Sequence, residues 1–124
     1  MKLTKPQRAA LDFVNRLMSA PIDKIAIENP VSIISTRIKK PDQIIQPYEF
    51  GHPETKKTCL WLKNLSKLTP TNIVEPEFII AKGKRYSPTH YHSYRNFISR
   101  EERAKIRSLT YHGIADAMAA QWGV

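Results

Sequence analysis

The sequence predicts an α/β fold with a parallel sheet, and three observations point there. Residues 5–19 carry apolar side chains at helical spacing. They feed into a short, continuously apolar run, Ile25-Ala26-Ile27, and a second such run, Cys59-Leu60-Trp61-Leu62, follows. A strand covered on both faces loses its polar alternation, and helices that alternate with short all-apolar strands are the pattern of a parallel sheet.

Thr4 followed by Gln7 matches a capping box, and Pro6 is tolerated in a first helical turn. Ala10, Phe13, Val14, Leu17 and Met18 then mark the apolar side of a helix over 5–19, which Pro21 ends. A strand over 24–28 comes next and stops at Pro30. Residues 31–38 read as an irregular turn or a short helix, 39–42 as exposed loop, and 42–46 as at most one helical turn. Gly51 and Pro53 punctuate the approach to a strand over 57–63. Residues 64–71 are loop; 77–81 and 85–86, with Gly83 between them, suggest a small hairpin. The polar, aromatic stretch 86–96 reads as irregular. Ser99 starts a capped helix running through Arg107, and His112-Gly113 opens a last helix on which Ile114, Met118 and Trp122 recur, closed by Gly123.

A chain of 124 residues, 41% hydrophobic and 25% charged, is one ordinary globular domain with little core to spare. No apolar run approaches the ~20 residues of a membrane span, and no signal-peptide core follows Met1. A single cysteine, Cys59, excludes an internal disulfide and fits a reducing interior. The expectation is a cytoplasmic protein without a membrane partner.

Charge is the first functional clue. Twenty Lys and Arg against eleven Asp and Glu give a net +9. Residues 61–100 hold seven of the bases (Lys63, Lys67, Lys82, Lys84, Arg85, Arg95, Arg100) and two acids (Glu75, Glu77), with Tyr86, Tyr91, Tyr94 and Phe97 among them. Cations interleaved with aromatic rings suit phosphates and stacked bases, so segment 63–100 is the candidate for DNA contact.

A polar signature sits against each apolar run. Glu28-Asn29-Pro30 follows the first, and Gly51-His52-Pro53-Glu54-Thr55-Lys56 leads into the second. An acid and an amide just past a buried strand must be paired, so they either cap something or face a ligand. Glu28 reads equally as a strand-end acid paired with Arg37 or Lys39. Cys59, inside an apolar strand, reads as inert packing. His52, His90, His92 and His112 match no standard zinc spacing, so no metal is expected.

In this order the motifs resemble the later part of cytosine-5 DNA methyltransferases. That family has an acid-Asn-Val tripeptide after one strand and a Gly-x-Pro-Gln-x-Arg-x-Arg stretch before another. Residues 107–119 look like a divergent form of its closing Gly-Asn-Ala-Val helix. More closely, the chain resembles the C-terminal half of phage and prophage methyltransferase-like proteins, through IENPV at 27–31, PDQIIQPYEFG at 41–51, ETKKTCLWLK at 54–63, LTPTNIV at 68–74 and GIADAMAAQWG at 113–123. The resemblance runs from Ala9 onward. It implies a partial Rossmann-like methyltransferase sheet with flanking helices and the cofactor-binding half absent.

The resemblance also implies roles. Attack by a thiolate on cytosine C6 needs an activated ring, which a carboxyl group hydrogen-bonded to the base supplies. That role falls to Glu28, with Asn29 holding the turn that aims it. Lys56 stands where the family's Arg reaches the base carbonyl, Glu54 where it has Gln and Thr58 where it has its last Arg. Glu28 and Lys56 are then expected to share one pocket lip. Arg85, Tyr86, Tyr91, Tyr94 and Arg95 fall where the family reads its target, although this segment reads equally as a folded-over loop. The Gly-rich turn that seats S-adenosylmethionine and the Pro-Cys nucleophile loop have no counterpart, so the chain is expected to bind no cofactor and methylate nothing alone. It would work with an N-terminal methyltransferase chain or self-associate, because strand 24–28 would otherwise leave an open edge. The alternative is a non-catalytic phage or prophage interaction protein that binds nucleic acid or another protein.

Overall fold

The computed structural model describes residues 2–30, 32–95, 99–108 and 110–123, with the side chains of Pro30, Tyr94, Arg95 and Arg107 left undescribed. The described residues are mixed α and β, with small antiparallel sheets and five α-helices among them. The chain divides into two compact units: Met1–Ile45 with Lys57–Lys67, and Gln46–Lys56 with Leu68–Val124. No helix among the described residues is long and apolar enough to cross a membrane.

The first unit opens with helix α1, Lys5–Met18. Its start is the expected capping box: Gln7 N–H donates to Thr4 Oγ1 at 3.2 Å and Thr4 N–H donates to Gln7 Oε1 at 2.9 Å. The helix carries two apolar stripes. Leu11, Val14 and Met18 turn inward, whereas Phe13 and Leu17 stay 60% and 40% exposed. Both sets obey helical spacing, so periodicity identifies the helix but not which stripe the sheet covers.

Strands β1 (Ile25–Pro30), β2 (Gln43–Ile45) and β3 (Thr58–Lys63) form one sheet in the order β1-β3-β2, with α2 (Ile34–Arg37) between the first two in sequence. Here the parallel expectation is corrected. The central β3 runs antiparallel to both neighbours, with Ile27 opposite Trp61 and Ile44 opposite Cys59. A continuously apolar strand reports burial on two faces and carries no information about direction, which is why the sequence misled. β1 and β2 consequently run parallel to each other with an antiparallel strand between them. β2 also replaces the helical turn expected over 42–46; three residues are too few to display a period.

Leu11, Ile34, Cys59 and Trp61 make the core of this unit, with Leu3, Val14, Met18, Ile27, Ile33 and Ile38 packed around them. Trp61 Nε1–H donates to the Lys39 carbonyl at 2.9 Å, which satisfies the indole inside the core. Asp42 closes the β2–β3 end, its carboxylate accepting from Leu62 N–H at 2.7 Å. Asn64, at φ 55°, and Lys63 tie the far end to the α1–β1 turn through the carbonyls of Asp23 and Ile22.

The second unit is organised around a 3-10 turn, Pro47–Glu49. Gln46 caps it: its N–H donates to Glu49 Oε1 and its own Oε1 accepts from Lys56 N–H, both at 2.7 Å. Residues 71–77 run alongside, with Val74 N–H donating to the Tyr48 carbonyl and Glu77 N–H to that of Pro53. Strands β4 (Ile79–Ala81) and β5 (Lys84–Tyr86) form the expected hairpin. Lys82 and Gly83 both take positive φ, 51° and 73°, as a two-residue hairpin turn requires. Helices α3 (Pro88–Arg95), α4 (Arg100–Ser108) and α5 (His112–Trp122) complete the unit. α3 corrects the irregular reading of 86–96: Pro88 pre-sets the first helical position, but the stretch has no apolar period to announce it.

Candidate nucleic-acid interface

Among the sequence-predicted site residues, Glu28 and Asn29 belong to the first unit, and Glu54, Lys56, Arg85, Tyr86 and Tyr91 to the second. Tyr94 and Arg95 lie on α3, with side chains outside the described residues, as is Phe97 altogether.

Glu28 is half-buried in β1 opposite Leu60, and Lys39 pairs with Asp42 at 3.9 Å. Asn29 holds the turn after β1: its Nδ2 donates to Ser32 Oγ at 3.1 Å, and that oxygen accepts from Ile34 N–H at the start of α2. Cys59 is 1% exposed and burial pushes its thiol pKa up, which suits packing and not nucleophilic attack.

Glu54 turns inward instead of toward a ligand. It is 8% exposed, and its carboxylate accepts from Thr89 N–H at 2.6 Å, from Thr89 Oγ1 at 2.7 Å and from the Tyr111 hydroxyl. Thr89 N–H is one of the unpaired donors at the α3 N-terminus, where a negative charge is also favoured by the helix dipole. One carboxylate therefore joins the 46–56 loop, α3 and the residue before α5. Burial and then the bond to Glu54 push the Tyr111 pKa up to about 12. Thr89 and Tyr111 were invisible as partners in the sequence, lying 35 and 57 positions from Glu54.

His52 performs a similar task at the start of α5. Its Nε2 accepts from Gly113 N–H at 3.0 Å, with the Tyr111 and His112 rings packed 5.1 and 4.5 Å away. Position 113 tolerates only glycine, because a Cβ there would lie 2.1 Å from the Phe50 carbonyl oxygen. Burial first, then the neighbouring His112, lower the His52 pKa. An open cleft of about 470 Å³ lies beside this joint, lined by Gly51, His52, Asn72, His112 and Asp116 among others.

The four glycines do not build a cofactor cradle. Gly51 follows the 3-10 turn, Gly83 sits in the hairpin, Gly123 ends α5, and the space over Gly113 is filled by Phe50 and His52. Among the described residues no three His, Cys, Asp or Glu side chains gather to hold a metal ion.

What remains is the hairpin and α3. From Phe78 to Arg100 the chain holds five bases (Lys82, Lys84, Arg85, Arg95, Arg100) and no acid. Arg85 lies with its guanidinium 3.9 Å from the centre of the Phe78 ring. Tyr86 stacks on His90 at 6.0 Å with the planes 4° apart, Tyr91 lies 6.0 Å from Tyr86, and His92 stands edge-on to Tyr91 at 5.5 Å. Cations at an exposed hairpin tip, backed by a run of aromatic rings, can hold a phosphate backbone and offer faces for stacking. Comparisons with protein-family models, with curated proteins and with solved structures find no match to this chain.

Proposed function

We propose that this chain binds DNA as the C-terminal part of a cytosine-5 methyltransferase-like protein of phage or prophage type and does not methylate by itself. The observation that carries the reading is the acid-free run 78–100, whose residues 79–86 form a hairpin with Lys82, Lys84 and Arg85 at its end and stacked rings beside it. The motif series supplies the family. A Rossmann-like sheet belongs to the same proposal, with further strands joining at β1, an edge of the three-stranded sheet. The cofactor chemistry then comes from a segment or chain other than these 124 residues, and base binding by Glu28 belongs to the same proposal. The Glu54 carboxylate accepts from Thr89 and Tyr111, which gives it a structural duty within the second unit.

Gel-shift titration with double-stranded DNA tests this. Binding should be present at low salt and weaken linearly on logarithmic axes as salt rises, because each neutralised phosphate releases counterions. No affinity at low salt, or affinity indifferent to salt, refutes it.

A second reading, a non-catalytic protein that assembles through the first unit, is favoured by one observation. β1 is apolar over Ile25-Ala26-Ile27 yet lies at a sheet edge with none of these residues fully buried, and Phe13 and Leu17 of α1 are exposed. A bare apolar edge strand invites pairing.

A further inference from the structure

We propose that the β4–β5 hairpin is a base-reading ribbon for the major groove of double-stranded DNA, with Arg85 recognising guanine and Ile80 packing against a thymine methyl group. This rests on the DNA-binding reading and extends it from phosphate contact to sequence. Ile80 is directly opposite Arg85, so the two side chains share one face of the ribbon. Phe78, two residues before Ile80, lies on that face too, with its ring 3.9 Å from the Arg85 guanidinium. The other face is spoken for: Ile79 and Tyr86 are half-buried there and Tyr86 stacks on His90.

The free face is thus a planar two-pronged donor beside an isoleucine that is 74% exposed. Guanine presents two acceptors in the major groove, O6 and N7, at the spacing of that fork, and thymine presents a methyl group. The ribbon also fits. Two strands lie about 5 Å apart and three residues extend about 10 Å, against a groove about 12 Å wide and 8.5 Å deep. The tip is unobstructed, since nothing lies within 4 Å of where a Gly83 Cβ would be. Lys82 and Lys84 flank it, and the sequence from Phe78 to Arg100 carries no acid. The major groove of an RNA duplex is too narrow for such a ribbon, so the partner is DNA.

Selection of duplexes from a random pool by the intact chain, followed by replacement of each enriched thymine with deoxyuridine, tests the assignment. Ile80 and Arg85 are exposed, so substituting them leaves the core intact; circular dichroism checks this. Sites holding guanine and thymine should be enriched. Loss of the thymine methyl should weaken binding about fourfold, the worth of one buried carbon, and Ile80→Ala should bind both forms alike. Arg85→Ala should relax discrimination at guanine by about tenfold. Lys82→Ala should weaken all duplexes and lower the salt slope by about one. Binding without enrichment, or with equal affinity for thymine and deoxyuridine duplexes, overturns the base readout and leaves the DNA-binding reading standing. Failure to bind any duplex at low salt overturns both.

Discussion

Glu54 and His52 illustrate how two polar residues in one loop acquire structural duties through partners far along the chain. Replacing Glu54 with Ala strands the Thr89 and Tyr111 donors in a buried setting, and should cost about 2–3 kcal/mol in urea denaturation. Tyr111→Phe should cost about 1 kcal/mol. The Tyr111 pKa is raised on folding, so its contribution is full below the ordinary value of 10 and is lost as pH rises through about 12. Thermal stability should therefore fall across that alkaline window, and the tyrosine-specific part of the fall should vanish in Tyr111→Phe. His52 has the opposite sign. Its pKa is lowered from 6.5, so the stabilisation it brings is present above that value and lost as pH falls through the lowered one. Melting curves followed downward from pH 7 past 6.5 should show the loss, and His52→Gln, whose amide oxygen can accept from Gly113 N–H without titrating, should flatten it.

At the scale of elements, α1 and β1 carry the strongest expectation. The Leu11, Val14 and Met18 stripe is used by the core, whereas Phe13 and Leu17 face outward beside no described partner, and the sheet ends at β1. Sedimentation of the purified chain should show self-association at micromolar concentration, and Phe13→Glu with Leu17→Lys should return it to monomer without lowering the melting temperature. A strictly monomeric unaltered chain would contradict the edge argument. Elements with a built-in signal were legible: the Thr4 box, the 57–63 strand and the Gly83 hairpin each follow from chemistry confined to a few neighbouring residues. β2 and α3 were not. Gln43–Ile45 is too short to show alternation, and Pro88–Arg95 has polar and aromatic residues around its circumference.

For the whole molecule, the missing Gly-rich turn makes a direct prediction. Calorimetry of the chain with S-adenosylmethionine should give no heat of binding, and a measurable heat would contradict the assignment of cofactor chemistry elsewhere. The division of the chain into two compact units also bears on the candidate site. Of the residues put forward, Arg85, Tyr86 and Tyr91 are gathered into one hairpin-and-helix cluster, whereas Glu54 is withdrawn into a joint.

From the sequence alone came the charge excess and its concentration over 61–100, the capped first helix, the two apolar strands and the hairpin. These are local or additive properties that residues carry wherever they are placed. Tertiary structure alone decided the direction of β3, which stripe of α1 is covered, and the inward turn of Glu54. Each depends on partners distant in the chain, and neither hydrophobic period nor motif spacing encodes which of two equally apolar surfaces, or which of two possible partners, the folded chain will use.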